Sequence, residues 1–460
     1  MSKTISPTYS SKRHTFNILG DLSVNIEITN NPFNFSLEHL FTMASRINRK
    51  RGFLFVSKVL GKHLPIIPAV GHLGGAALAA SFLSQIHNVN FTQTPKLIEG
   101  IKNVEMSSEI FDEFIHKRLP LPEETLFIGF AETATALGQS MFASFKENAR
   151  YIHTTRELLT NKVSVINFEE EHSHATSHRC YADNESFLSG NETVVLVDDE
   201  ITTGKTALNI IRELHQKFPR KKYVLASLLD WRSDQDRKAF SQAEEELGTT
   251  IHTISLLEGR ITVHGQPSES NGIDLDRTSS VATTFEKIYL PNHFFKKIAY
   301  TSSDSSGFEV NTPYIFETGR FGIHCENTDK LQRIAKEIGS FLQSYRRGSG
   351  PTLSLGTGEF MYLPMLISHY MGKNLFYHST TRSPIYPCNK KGYGAKNAYV
   401  FNSPDDPNII NYFYNVPFKL YDSAFIFFER DLPDERFHSL KNQLSALGIP
   451  HICMVVCSSK

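Results

Sequence analysis

The sequence predicts an α/β protein of two domains, each built on a parallel sheet flanked by helices. Three observations carry this. Near-continuous apolar runs of strand length recur along the chain. Helix-length segments separate them. And 460 residues are too many for one core, because domains usually hold ~100–200 residues.

Taken in order, residues 1–30 are polar and then faintly alternating (SVNIEITN, 23–30), which suggests a ragged start and an edge strand. GFLFVSKVLGKHLPIIP (52–68) reads as a helix followed by a loop, and AALAASFLSQIH (76–87) as a helix preceded by Gly74 and Gly75. TLFIGF (125–130) is a short apolar run, TALGQSMFASF (135–145) a helix, and RYIHTT (150–155) and KVSVINF (162–168) are strands. TVVLVDD (193–199) is apolar enough to be covered on both faces. KTALNIIRELHQKF (205–218) sets Leu208, Ile211, Leu214 and Phe218 on one helical face, and YVLASLLDW (223–231) is the next strand. From about 266 to 312 the chain turns polar without a period. Alternation then resumes with TLSLGTG (352–358), NLFYHSTT (374–381), SAFIFFER (423–430), a helix near 434–446 and HICMVVC (451–457). The expected domains are 1–300, with a core over about 50–265, and 313–460, joined by a linker at 301–312.

Composition narrows the function classes. Lys+Arg and Asp+Glu are each 48, so the formal net charge is zero, which argues against nucleic-acid and membrane-surface partners. The N-terminus lacks the apolar core of a signal peptide, and no run of ~18 apolar residues is visible, so a cytoplasmic protein is expected. The five cysteines are scattered, and even Cys453 and Cys457 read as buried thiols of a strand rather than as metal or disulfide partners.

The chemistry concentrates in VVLVDDEITTGKTA (194–207). A strand ending in a short turn aims helix amides and the positive helix end at one point, where a phosphate binds. Gly204 permits close backbone approach, and Thr202, Thr203 and Thr206 add hydroxyls. Asp198 and Asp199 stand at the carboxyl end of the strand, where two carboxylates can accept hydrogen bonds from two sugar hydroxyls. Two other readings compete. Gly204-Lys205-Thr206 is the end of a nucleotide-triphosphate loop, but the Gly required five positions earlier is Asp199; the other alternative is an ordinary charged strand end.

With these residues in view, the segment resembles the signature of type I phosphoribosyltransferases, with an α/β sheet flanked by helices. The resemblance implies that Asp198 and Asp199 hold the ribose of 5-phosphoribosyl diphosphate (PRPP), that residues 202–206 hold its 5′-phosphate, and that Mg²⁺ is the cofactor. Glu200 departs from the small apolar residue usual there; pairing with Lys205, a bound cation and plain solvation all stay open. The family's diphosphate loop falls on GFAETATALG (129–138), with Ala131, Glu132, Thr133 and Ala134 at its centre. Its flexible loop falls on HTTRE (153–157) and FEEEHSHATSHR (168–179). There Arg156 could contact diphosphate, while Glu170, His172, His174 and His178 form either a closing loop or a transition-metal site. Thr381-Arg382-Ser383-Pro384 makes the likeness more specific, to orotate-like phosphoribosyltransferases with a C-terminal domain named for that motif (TRSP). In that group the genes neighbour tellurite-resistance and stress-response genes.

An internal repeat is also expected. Gly129-Phe130-Ala131-Glu132 and Gly356-Thr357-Gly358-Glu359 each follow a strand, and each is followed by Thr-Thr-Arg, at Thr154-Thr155-Arg156 and Thr380-Thr381-Arg382. The second domain then reads as a diverged copy lacking the phosphate loop, in which Thr380, Thr381, Arg382 and Ser383 bind an acceptor or product; chance matching of short motifs, with Arg382 a structural anchor, is the alternative. The function expected is phosphoribosyl transfer from PRPP to an unknown base-like small molecule. A non-catalytic PRPP- or nucleotide-binding regulator and the reverse reaction are the alternatives, and a homodimer is left open.

Overall fold

The computed structural model describes residues 13–47, 51–169, 177–266 and 282–459. Its larger sheet has eight strands in the order Arg13–Asn17, Ser23–Asn30, Thr250–His264, Lys222–Asp230, Thr193–Ile201, Thr125–Gly129, Ala149–His153 and Ile323–His324. The central five are parallel, and the edges pair antiparallel. The second sheet holds five parallel strands: Thr284–Tyr289, His451–Ser458, Ser423–Arg430, Thr352–Gly356 and Leu375–Ser379.

These two parallel cores share one spatial plan. In each, the strand before the diphosphate-loop position lies between the Thr-Thr-Arg strand and the acid-ending strand. In each, a β-hairpin intervenes before the acid-ending strand: Ile166–Glu169 with Ser177–Cys180 in the first, Ala398–Asn402 with Ile410–Tyr414 in the second. The backbone repeats as well. Thr154 N donates to Gly129 O at 2.9 Å, and Thr380 N to Gly356 O at 3.0 Å. Ala131 N donates to Thr154 Oγ1 and Gly358 N to Thr380 Oγ1, both at 2.9 Å. The difference is the fifth strand. It follows in sequence in the first core (Thr250–His264), but in the second it is Thr284–Tyr289, which precedes the rest of its sheet.

Three expectations are corrected. Residues 53–57 form a strand, paired with Phe41–Ser45, because Phe55 stacks on Trp231 at 4.7 Å and Phe53 and Phe55 meet edge to face. The helix expected from 76 begins at Pro68 and runs to His87, through Gly71, Gly74 and Gly75. Those glycines are contact points: a Cβ at Gly75 would lie 2.6 Å from Met141 N, and one at Gly71 2.4 Å from Met365 Sδ. By length and composition this helix could cross a membrane, yet 83% of its most apolar window is buried inside the protein. Finally, the second sheet begins at Thr284, upstream of the linker expected at 301–312. That segment is polar but not a bare connector: Ser302–Ser303 pairs with Leu158–Leu159 and Glu309–Val310, and Asp304 is bonded to Ser306 and Arg436.

The helix Tyr362–His369 of the second domain packs against Pro68–His87 of the first, and one apolar core runs through both. This fixes the two copies face to face.

Candidate active site

Both domains open onto a single cavity of about 340 Å³ at the carboxyl ends of the first sheet's strands. Its floor is the acid-ending strand. Asp198, Asp199, Glu200, Thr202 and Thr206 line it, and Phe130, Ala131, Glu132, Thr133 and Ala134 form the adjacent wall. Between Ala131 and Glu132 the peptide is cis. Gly204 caps the helix Lys205–Lys217 at φ +75°, where a Cβ would also strike the Phe240 ring at 2.5 Å, so glycine is required twice over. Thr203 and Lys205 take part in the turn, Lys205 N donating to Thr203 Oγ1 at 3.4 Å, and with Gly204 they are not among the cavity-lining residues.

The acids are held by groups from the N-terminal hairpin and the loop after it. Lys62 Nζ lies 3.4 Å from Asp199, and Arg51 pairs with Glu200 while its guanidinium covers the Phe53 ring. Glu200 therefore engages Arg51 rather than Lys205. Burial and the neighbouring Asp199 push the Asp198 carboxyl well above its ordinary range. Burial would raise Asp199 as well, but Lys62 and hydrogen bonds outweigh it and hold Asp199 below the usual value.

The far wall belongs to the second domain. Thr381, Arg382 and Ser383 line the same cavity. Arg382 Nε lies 3.3 Å from Glu132 Oε1, and its backbone N donates to Glu132 Oε2 at 3.3 Å. Thr380 does not reach the cavity; it is buried, its hydroxyl accepting from Gly358 N. The embrace is reciprocal: Arg156 N donates to Glu359 Oε1 at 2.7 Å, and Thr155 Oγ1 to Glu359 Oε2 at 2.6 Å. Arg156 also lines the cavity, 3.8 Å from Glu132.

His178 is not on a loop tip. It is buried on the second strand of the first hairpin, stacked on Phe168 at 5.0 Å, with Nε2 3.4 Å from Arg156 Nε. Its other ring nitrogen, Nδ1, lies 3.3 Å from Thr154 Oγ1, so the ring sits between the Thr154 hydroxyl and the Arg156 guanidinium. Glu170, His172 and His174 lie outside the described residues, and with them the choice between closing loop and metal site.

Sequence reasoning missed Arg46, Arg51, Lys62 and His63, which all line the cavity. The basic residues of RKRGFLFVSKVLGKH were the available signal, hidden by reading that stretch as a helix. His63 is buried, neither ring nitrogen has a hydrogen-bond partner, and burial pulls its pKa well down, so the imidazole is neutral.

Comparison with known proteins agrees with this architecture. A phosphoribosyl transferase family profile matches residues 40–260, and the profile of the TRSP domain C-terminal to that family matches residues 317–444. The chain belongs to this two-domain family. No match is found among curated proteins. Among solved structures, adenine phosphoribosyl transferase from Trypanosoma brucei is 15% identical, with 50% of this chain and 82% of that chain covered at a TM-score of 0.28. A hypoxanthine phosphoribosyltransferase from Staphylococcus aureus is 10% identical, with 43% and 79% covered at a TM-score of 0.21. Thr381, Arg382 and Ser383 of the Thr-Arg-Ser-Pro sequence line the same cavity as Asp198 and Asp199.

Proposed function

We propose that this protein transfers the 5-phosphoribosyl group of PRPP to a nucleophile on a base-like acceptor. One observation carries the reading: the acid-Thr-Thr-Gly loop, the diphosphate-loop residues and the Thr-Arg-Ser loop face one another across one cavity. In the reaction the bond from C1′ to the diphosphate oxygen breaks, a bond from C1′ to the acceptor forms, and the acceptor gives up a proton. Asp198 and Asp199 accept from the ribose hydroxyls. Thr202, Thr206 and the amide end of the helix Lys205–Lys217 hold the 5′-phosphate. Backbone of residues 131–134 and the Arg156 guanidinium receive the departing diphosphate. The transition state resembles an oxocarbenium ion, so the work is orientation and charge placement.

Mg²⁺ fits the site by donor chemistry. Asp198 carries no protein cation within ion-pair distance among the described residues, and Glu132 Oε1, buried without a hydrogen bond, has Arg382 Nε as its ion-pair neighbour at 3.3 Å. These two oxygens would hold the ion directly or through its waters, and its charge would stabilise the diphosphate as it leaves. Neutral His63 faces the cavity with both nitrogens unpartnered, so it can hydrogen-bond the acceptor and orient it, while the acceptor's proton leaves with the departing diphosphate. The acceptor lies between His63, Phe55 and Arg382, against the second domain.

The deciding experiment incubates the protein with PRPP, Mg²⁺ and a panel of purine, pyrimidine and small heterocyclic bases, and measures diphosphate release. Release stimulated by one of them is expected. PRPP binding without release across the panel would favour a non-catalytic regulator instead.

A further inference from the structure

A second cluster lies away from this cavity, at the opposite, amino-terminal ends of the second sheet's strands. Strand register sets Thr284 beside His451 and Glu286 beside Cys453, so all four residues occupy one face of the edge pair. Glu286, His451 and Cys453 each bring one ligand atom, and these lie within 4.8 Å of one another. They converge on one nitrogen: His451 Nε2 is 3.2 Å from Cys453 Sγ and 3.4 Å from Glu286 Oε2.

The other ring nitrogen shows what that convergence means. Thr284 Oγ1 donates its one proton to Pro450 O at 3.0 Å, and it lies 3.2 Å from His451 Nδ1. With its proton spent, the hydroxyl can only accept from Nδ1–H. In a neutral imidazole the lone pair then sits on Nε2, facing both the Cys453 sulfur and the Glu286 carboxylate. A metal ion among the three would take that lone pair together with the two acidic ligands. An oriented histidine, its distal N–H fixed by a neighbour, is also how proteins prepare this residue for a metal. Tetrahedral Zn²⁺ with Zn–N of about 2.0 Å and Zn–S of about 2.3 Å spaces nitrogen and sulfur by about 3.5 Å, close to the 3.2 Å found here.

We propose that Glu286, His451 and Cys453 form a divalent transition-metal site of the zinc class, completed by a water. Glu286 is 42% exposed, so the fourth position is reachable from solvent, whereas Cys453 is buried. The ion would clasp Thr284–Tyr289, the strand that enters the second sheet out of sequence order, to its neighbour His451–Ser458. It takes no part in phosphoribosyl transfer.

The test uses the full chain and Co²⁺ as a spectroscopic probe. The wild type should bind one Co²⁺ with a thiolate-to-cobalt charge-transfer band in the near ultraviolet, and Zn²⁺ should displace it and raise the melting temperature. Cys453→Ser should lose the band. Thr284→Val should keep it but weaken Co²⁺ binding about tenfold, the usual size of an outer-shell effect. Should Cys453→Ser fail to fold, Glu286→Gln, at a half-exposed position, serves in its place and should weaken binding at least as much. No Co²⁺ binding by the wild type, or a band and affinity unchanged in these variants, overturns the proposal.

Discussion

The two copies of the fold put matching residues to opposite uses. In the first, Val197 lies beside Gly129 and the next residues are Asp198 and Asp199; in the second, Phe427 lies beside Gly356 and the next are Phe428 and Glu429. One acid has become an aromatic. Where the first copy leaves about 340 Å³ between Asp199 and Glu132, the second places Arg320 between their counterparts Glu429 and Glu359. That arginine is buried, bonds Thr155 as well, and lies 3.2 Å from Glu157. Arg430 joins at 2.9 Å from Glu157 and lies over the Tyr314 ring. Beside Glu359, on the side of Thr135 and Tyr362, lies a void of about 10 Å³, room for about one water. The same backbone plan thus surrounds an open cavity in one copy and, in the other, an internal cation that joins the two domains.

The largest effect should come from breaking that fill. Arg320→Met leaves the buried Glu359 and Glu429 without their shared partner, while Glu157 keeps Arg430. It should cost about 3–5 kcal/mol of stability, the usual range for breaking a buried pair, seen as a large drop in denaturation midpoint. PRPP affinity of the folded fraction should be kept, because the first cavity is intact. A neutral Arg320→Met would show that the joint contributes nothing.

Breaking the open copy should act on binding instead. Asp198→Asn with Asp199→Asn removes the charged acceptors of the diol. Each hydrogen bond to a charged group is worth about 1.5–3 kcal/mol, so affinity should fall at least about a hundredfold. Calorimetry with PRPP and Mg²⁺ checks this, and unchanged affinity sinks the assignment of the loop. The fold should survive, since both residues face the cavity.

Acid separates the copies too. Burial would raise Glu359, but Arg320 and its other partners outweigh that and hold its carboxyl down at about 2. A depressed acid stabilises the fold above its ordinary value near 4.5 and loses that contribution as pH falls toward about 2. Denaturant midpoints measured across this window should drop, and Glu359→Gln should flatten the slope while lowering stability at neutral pH. An unchanged slope in Glu359→Gln would remove this carboxylate from the joint.

The smallest effect on stability belongs to Arg382→Lys. The side chain is 32% exposed, so its pair with Glu132 adds at most about 1 kcal/mol. Lys cannot reproduce a two-pronged guanidinium contact. PRPP affinity should therefore hold, while base-stimulated diphosphate release falls about tenfold. Lower stability with normal turnover would make Arg382 an anchor and move the acceptor elsewhere.

Several features were determined by sequence alone. The acid-Thr-Thr-Gly loop was legible as a cavity-forming turn because its residues are contiguous: strand, two acids, threonines and Gly204 all follow from one short stretch. The repeat was legible because a strand followed by Thr-Thr-Arg recurs at matching intervals. What only the tertiary structure decided is pairing across distance. Phe53–Ser57 is a strand because Phe41 and Trp231 cover it, and no local period announces that. Arg51, Lys62 and His63 reach the cavity through a hairpin far away in sequence, and Arg382 reaches it from the other copy. Arg320 lies just past the expected linker in a stretch that carries no motif, yet it is buried because three carboxylates from separate elements converge on it. Local patterns fix elements and loops; long-range electrostatic and packing complementarity fixes which loops share a site.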